Sequence, residues 1–122
     1  MAKVRTFRDL LVWQKAHALV LEIYRATSAF PSAERFGLIS QLRRSAGAVP
    51  TNIVEGYKKK SRKELLYFLN TADTSLEESK YHLILARDLD YIDEETFDRL
   101  TMMCDEVGRM LFGLQKSLPV PT

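Results

Sequence analysis

Apolar residues recur every three or four positions in four successive segments of the chain, a spacing that places them on one face of an α-helix. None of the segments shows the alternation of apolar and polar residues that is typical of a β-strand. We therefore predict helices over residues 9–28, 33–57, 62–88 and 94–118. Short connections between four such helices favour an all-α, antiparallel up-down-up-down four-helix bundle. A chain of 122 residues is long enough for one such domain, spanning residues 1–122.

Local signals at the ends of the segments support these boundaries. Ser32 and Asp93 are the expected N-caps of the second and fourth helices. Ser61 and Glu64 form an S-x-x-E capping box before the third helix, in which each side chain accepts a hydrogen bond from the other residue's backbone N–H. Pro119 is expected to end the fourth helix.

The apolar stripes predict the core of the bundle. In the first helix the stripe comprises Leu10, Trp13, Ala16, Val20, Ile23, Tyr24 and Thr27, and in the fourth Phe97, Leu100, Cys104, Val107, Leu111, Leu114 and Leu118. The stripe of the second helix keeps its phase across Pro50, so we predict one helix that is kinked at Pro50. The kink either wraps the helix around its neighbours or shapes a contact between subunits.

A second, polar stripe lies beside the core stripe of the second helix, at about 100° of rotation per residue. Its members are Gln41, Arg44, Ser45, Ala48, Asn52 and Glu55. Arg43 points about 100° away from Arg44, so the two arginines serve different purposes. Arg44 either pairs with an acid of the third or fourth helix or is free to bind phosphate. We predict interface or structural roles for Gln41, Arg43, Arg44, Pro50, Asn52 and Glu55.

Five cations fall within six residues between the second and third helices: Lys58, Lys59, Lys60, Arg62 and Lys63. Cations at the start of a helix oppose its dipole, and a polyanion would relieve both this conflict and the mutual repulsion of the cations. We therefore predict that these five residues and Arg44 contact nucleic acid. A solvated loop is the alternative. Tyr57 and Tyr67 flank the run and are candidates for stacking on bases.

The charges are segregated along the chain. Residues 1–64 carry 13 Lys/Arg against 5 Asp/Glu, a net +8, whereas residues 65–122 carry 5 against 11, a net −6. This asymmetry has two interpretations. Oppositely charged helices pair within one bundle or between subunits, or a basic face binds a polyanion while an acidic face points elsewhere.

Signals for catalysis are weak. The sequence carries no glycine-rich phosphate loop, no nucleophile motif and no Glu-x-x-His pair of the kind that binds di-iron in bundles. Glu78 and His82 lie four residues apart, and a metal or hydrolase site around them is the least favoured hypothesis. Cys104 falls in the apolar stripe of the fourth helix and is interpreted as a buried apolar residue. We predict a protein that is not an enzyme and has no metal and no cofactor.

The cellular setting follows from two observations. A lone cysteine cannot form an internal disulfide, which favours a reducing compartment. No apolar run approaches the roughly 20 residues that span a bilayer, and the N-terminus lacks the apolar segment of a signal peptide. We expect a cytoplasmic protein with no membrane partner.

Several stretches resemble a known family. They are FRDLLVWQKA at 7–16, FPSAERFGLISQLRRSAGAVPTNIVEG at 30–56, the S-x-K-E entry at 61–64 and SLEE at 75–78. Together they are similar to the bacterial four-helix-bundle proteins encoded by intervening sequences in 23S ribosomal RNA genes. The similarity runs from about Phe7 to Leu118, and the block from Gln41 to Gly56 is its most specific part.

The resemblance implies an antiparallel four-helix bundle that assembles into a homopentamer. It also implies a distant relation to the accessory variability determinant proteins of diversity-generating retroelements, which are basic pentameric bundles that bind a reverse transcriptase and nucleic acid. The family has no established catalytic residues. The expected function is thus an oligomeric bundle that binds RNA, DNA or a nucleoprotein partner. The alternative is a protein–protein scaffold without affinity for nucleic acid, in which the segregated charges serve assembly.

Overall fold

The computed structural model describes residues 5–117, and within this range the chain forms helices and no strands. Its four α-helices are α1 (Leu11–Thr27), α2 (Leu38–Lys58), α3 (Arg62–Asp88) and α4 (Glu94–Ser117). Short 3-10 turns at Phe7–Asp9 and Ser32–Glu34 precede α1 and α2. The four helices pack against one another, which confirms the predicted all-α four-helix class.

One continuous core joins the four helices. Its buried apolar members are Val12, Ala16, Leu19, Ile23, Phe30, Leu38, Leu42, Ala46, Val49, Ile53, Leu69, Ala72, Leu76, Leu83, Ala86, Leu100, Cys104, Val107 and Leu111. The stripe predicted for α4 matches this set at Leu100, Cys104, Val107 and Leu111, while Leu118 lies outside the described residues. In α1 the buried face includes Val12 and Leu19, whereas Tyr24 is 46% exposed. The predicted stripe was therefore centred too far towards the side of the helix that carries Tyr24.

The first two helices begin later than predicted, for local reasons. Asp9 is not in α1, because its carboxylate accepts hydrogen bonds from the backbone N–H groups of Thr6 (3.1 Å) and Arg5 (2.8 Å) and so completes the 3-10 turn. Ser32 likewise starts a 3-10 turn rather than capping α2. The N-terminus of α2 is instead supported by Glu34, whose Oε1 accepts from the N–H of Leu38 at 3.2 Å.

The later helices begin as the sequence indicated. Asp93 Oδ1 accepts a hydrogen bond from the N–H of Thr96 at 2.8 Å, which is the expected N-cap contact. Ser61 Oγ accepts from the N–H of Glu64 at 3.1 Å, but the return bond of a capping box is replaced by a bond from the Ser61 hydroxyl to Glu64 Oε1. Pro119, the predicted stop of α4, lies outside the described residues.

Along α2 and α3, the residues that contact each other occur in opposite chain order. On α2 and α3, Ser45 lies beside Ser79, while Gly56 lies beside Phe68. A Cβ at Gly56 would lie 3.0 Å from Phe68 Cβ and 3.1 Å from Leu65 Cδ1, so glycine permits this close approach. The end of α2 is therefore packed directly on the first turns of α3.

Pro50 lies inside the continuous α2 and is buried. Four small residues, 45–48, precede it, and small side chains allow close approach of another backbone. Ser45 and Ala46 are buried, but a Cβ at Gly47 would meet nothing within 4 Å, so no such approach occurs at that position among residues 5–117. The kink at Pro50 stays a prediction. Within the described range, no helix combines the length and apolar character needed to cross a membrane.

Candidate nucleic-acid interface

The five predicted cations form the connection from the last residue of α2 to the first turn of α3, here called the basic connection (residues 58–63). All five side chains are exposed. None of them forms an ion pair with an acid within residues 5–117. The positive charge of the basic connection is therefore available to an external anion.

Packing on both sides holds the basic connection in place. Gly56 fixes the end of α2 against α3, and the Ser61 cap fixes the start of α3. Lys59 Nζ lies 5.4 Å from the centre of the Phe68 ring, a favourable cation–π distance. A connection of this kind presents its charges from a defined backbone rather than from a long flexible loop.

Helix dipoles divide the basic connection into two parts. Lys58 lies in the last turn of α2, where a cation is favourable. Arg62 and Lys63 lie in the first turn of α3, where cations oppose the dipole and only Glu64 offsets them. An anion bound at this helix start would remove the conflict.

The N-terminal segment lies next to the end of α2 and adds to the basic surface. A hollow of about 530 Å³, here called the N-terminal hollow, is lined by Arg5, Thr6, Phe7, Val54, Glu55, Tyr57 and Lys58. The sequence analysis missed the contribution of Arg5 and Phe7. The signal that could have found it is the T-x-x-D pattern of Thr6 and Asp9, which forms a capping box and orders this segment.

The two flanking tyrosines differ in exposure. Tyr57 is half-buried in the wall of the N-terminal hollow, and burial raises the pKa of its hydroxyl group. Tyr67 is 65% exposed, and its ring meets the edge of the Phe68 ring at a centroid distance of 5.2 Å. Both rings thus lie close to the basic connection in the chain, one in a hollow and one on the surface.

The adjacent arginines of α2 have separate surroundings. Arg43 reaches the C-terminal end of α1, where Nε donates to Thr27 Oγ1 (2.8 Å) and the guanidinium lies 4.4 Å from the centre of the Tyr24 ring. Arg44 is exposed and forms no ion pair with an acid among residues 5–117. Within residues 5–117, Arg43 therefore contacts α1, whereas the Arg44 side chain is exposed without an acid partner.

The rest of the polar stripe is only partly available. Gln41 and Glu55 are exposed on α2, as Arg44 is. The side chain of Asn52 donates to the carbonyl oxygen of Ala48 at 2.8 Å and is thereby engaged within its own helix. Pro50 is buried. The outward members of the stripe are therefore Gln41, Arg44 and Glu55.

A buried polar cluster between α2 and α3 was not anticipated. Ser45 Oγ lies 2.8 Å from Ser79 Oγ and 3.3 Å from His82 Nδ1, and Ser79 Oγ donates to the carbonyl of Ser75 at 3.0 Å. Burial lowers the pKa of His82, while the nearby charge of Glu78 acts in the opposite direction.

This cluster bears on the hypothesis of a metal or hydrolase site. Ser45 occupies the Nδ1 side of His82, and within the described part of the chain no hydrogen bond joins Glu78 to the imidazole. Residues 5–117 contain no group of three His, Cys, Asp or Glu side chains that could hold a metal ion. The local geometry therefore fits a hydrogen-bonded core histidine.

Ion pairs between helices account for part of the charge segregation. Lys15 of α1 pairs with Glu106 of α4 at 3.1 Å, and Lys80 of α3 pairs with Asp105 of α4 at 3.0 Å. The hydrogen bond that Lys80 donates to the Asp105 carboxylate raises the pKa of Lys80. Pairing within the bundle thus engages acids of α4 but leaves the basic connection unmatched.

The family follows from comparison of the whole chain. The model of the 23S rRNA-intervening sequence protein family matches residues 8–113. The chain belongs to this family. The matched range covers all of α1, α2 and α3 and most of α4, so the basic connection lies inside the family's shared region.

A solved structure has a similar fold. A crystal structure of a protein of unknown function from the S23 ribosomal protein family of Bacteroides thetaiotaomicron VPI-5482 is similar to this chain, with a TM-score of 0.81 and 23% identity. The similarity covers 88% of this chain and 96% of that chain. No curated protein matches the sequence.

Proposed function

We propose that this protein is a non-enzymatic helical bundle that binds nucleic acid, or a nucleoprotein partner such as a reverse transcriptase complex, through the basic connection. The observation that carries the proposal is the set of five exposed cations that have no acid partner among residues 5–117. Contacts to phosphate are the dominant source of affinity in proteins that bind nucleic acid. Arg44 is a further proposed phosphate contact on α2.

The proposal includes self-association, in the form of a homopentamer as the resemblance implies. Several large apolar side chains lie on the outside of the isolated chain, among them Met102 (69% exposed) and Phe112 (66% exposed) on α4. Assembly would cover such side chains and multiply the basic connections into one larger positive surface. Sedimentation equilibrium tests this part, and a monomer throughout the micromolar range would contradict it.

The absence of catalysis is also a proposal, supported by the state of the reactive side chains. Cys104 is buried, and burial raises the pKa of its thiol to about 12, so the nucleophilic thiolate does not form at neutral pH. His82 is buried beside the hydroxyl groups of Ser45 and Ser79.

Binding of labelled RNA and DNA at increasing salt tests the proposed function. For each tenfold increase in salt concentration, the logarithm of the binding constant should fall by about 0.7 to 0.9 for every phosphate that the protein contacts. Replacement of Lys58, Lys59 and Lys60 by Ala should weaken binding and flatten this dependence. A wild-type protein that binds neither nucleic acid at low salt would overturn the proposal and leave a protein–protein scaffold, for which the exposed apolar residues of α4 are the favouring observation.

A further inference from the structure

The N-terminal hollow combines two kinds of surface that a nucleotide requires. Phe7, Val54 and Tyr57 supply apolar and aromatic walls, and Arg5 and Lys58 supply positive charge. A nucleotide has a flat base with apolar faces and a negatively charged phosphate, so its two parts match these two sets of side chains.

The aromatic wall contributed by Phe7 is preorganised. The Phe7 ring meets the Trp13 ring edge-on at a centroid distance of 5.0 Å, and Trp13 stacks on His17 at 5.1 Å. The backbone around Phe7 is fixed by the Thr6–Asp9 capping box. A ligand that enters the hollow therefore does not have to order this segment, and the entropic cost of binding is small.

The acidic side chain that lines the hollow favours binding of a nucleotide over binding of a simple anion. Among the lining residues within 5–117, Glu55 is the one that carries a carboxylate, and its side chain is exposed. A carboxylate repels a bare phosphate or sulfate, but it accepts hydrogen bonds from the amino group of a base. The arrangement thus favours a base inside the hollow with its phosphate towards Arg5 and Lys58.

The N-terminal hollow is continuous with the basic connection, so one nucleic-acid strand can contact both. Lys58 belongs both to the lining of the hollow and to the basic connection, so a base in the hollow has its backbone next to residues 58–63. We infer that the N-terminal hollow receives an unpaired base, and that the basic surface consequently binds single-stranded nucleic acid in preference to duplex. This inference rests on the proposed function and narrows it to one class of substrate.

The preference for single strands is diagnostic because charge alone predicts the reverse. Duplex DNA has the higher density of phosphates and releases more counterions for each cation that contacts it. In a duplex the bases are paired and stacked, so their faces cannot enter a hollow on a protein surface. A preference for the single strand therefore indicates that the site contacts a base as well as the phosphates.

The experiment compares a fluorescein-labelled single strand with the same strand annealed to its complement. The wild-type protein should bind the single strand about tenfold more tightly or better, the contribution of one stacked base. Tyr57→Leu, which removes the ring, should lower the affinity for the single strand about tenfold and thereby abolish the preference. Tyr57→Phe keeps the ring and should bind as the wild type does.

Photo-crosslinking of the wild-type protein to a thiouridine-containing strand tests the site without any substitution, should Tyr57→Leu fail to fold. Crosslinks at Phe7 or Tyr57 are expected. Equal affinity for strand and duplex, or crosslinks confined to other parts of the chain, would overturn the inference while the proposed function stands. Failure of both strand and duplex to bind would instead overturn the proposed function.

Discussion

Arg43 Nε donates a hydrogen bond of 2.8 Å to Thr27 Oγ1, which in turn donates one of 2.7 Å to the carbonyl oxygen of Ile23. Thr27 is fully buried at the end of α1. The chain of bonds ties the C-terminal end of α1 to α2 and gives a charged side chain a structural role. The next residue, Arg44, is exposed and makes no such bond to any part of the chain between residues 5 and 117.

This difference predicts opposite results for two adjacent arginines. Arg43→Ala should lower the free energy of unfolding by about 1.5–3 kcal/mol, the usual contribution of a hydrogen bond to a charged group. Arg44→Ala is the matched control and should change it by less than about 0.5 kcal/mol, as exposed substitutions do. Urea unfolding measures both. Equal effects of the two substitutions would contradict the structural role of Arg43.

Two glycines of α2 give a second matched pair. Gly56→Ala should destabilise the bundle by about 1–3 kcal/mol, because the new methyl group would overpack against α3. Gly47→Ala meets open space and should stabilise by up to about 1 kcal/mol, because alanine is the better helix former. Thermal or urea unfolding measures the stability of both variants. A Gly56→Ala variant as stable as the wild type would contradict the close approach of α2 and α3.

The buried His82 predicts a dependence of stability on pH. Burial lowers its pKa below the ordinary value of 6.5, so near that pH the unfolded chain binds more protons than the folded chain. The free energy of unfolding should therefore fall as the pH is lowered from neutral through 6.5, and the loss should level off below the folded-state pKa.

Urea unfolding over this pH window measures the effect, with His82→Gln as the comparison. The substitution should remove the slope between neutral pH and the folded-state pKa. Carboxylates with lowered pKa values, such as Asp9, Glu22 and Asp93, act only at more acidic pH. A slope that survives His82→Gln would assign the pH dependence to other groups.

Cys104 predicts a reactivity that reports on opening of the bundle. With the thiol buried and its pKa raised to about 12, iodoacetamide should modify it very slowly in the native protein and rapidly in concentrated urea. The rate of modification, followed by mass spectrometry, measures how often α3 and α4 separate. Native labelling as fast as that of the unfolded chain would contradict the described burial.

The sequence predicted those features that depend on neighbours within a few positions. Helix α3 occupies the predicted range, because its apolar period and the Ser61 cap both act locally. The start of α2 was misplaced, because Glu34 supports Leu38 from outside the helix, while its other carboxylate oxygen accepts from the Tyr91 hydroxyl, 57 residues away. A contact over that distance leaves no periodic trace in the sequence.

The same distinction applies to the candidate site. The basic connection is contiguous, so composition revealed it directly. The N-terminal hollow joins Phe7 to Tyr57, and the polar cluster joins Ser45 to His82. These residues become neighbours only when the helices pack, which is why the sequence analysis predicted the cations and missed the hollow beside them.

The central claim is that residues 58–63 bind nucleic acid, and charge-matched variants test it most directly. The Lys59→Gln/Lys60→Gln variant loses two charges from the basic connection, whereas Arg35→Gln/Arg109→Gln loses two exposed charges elsewhere on the surface. Affinity for a labelled single strand is measured across a salt titration. We predict that only the first variant weakens binding, and that it reduces the logarithmic salt slope by up to about 1.4, the value for two lost phosphate contacts on a single strand. Equal losses in both variants would mean that net charge alone drives binding and would contradict the assignment of the basic connection.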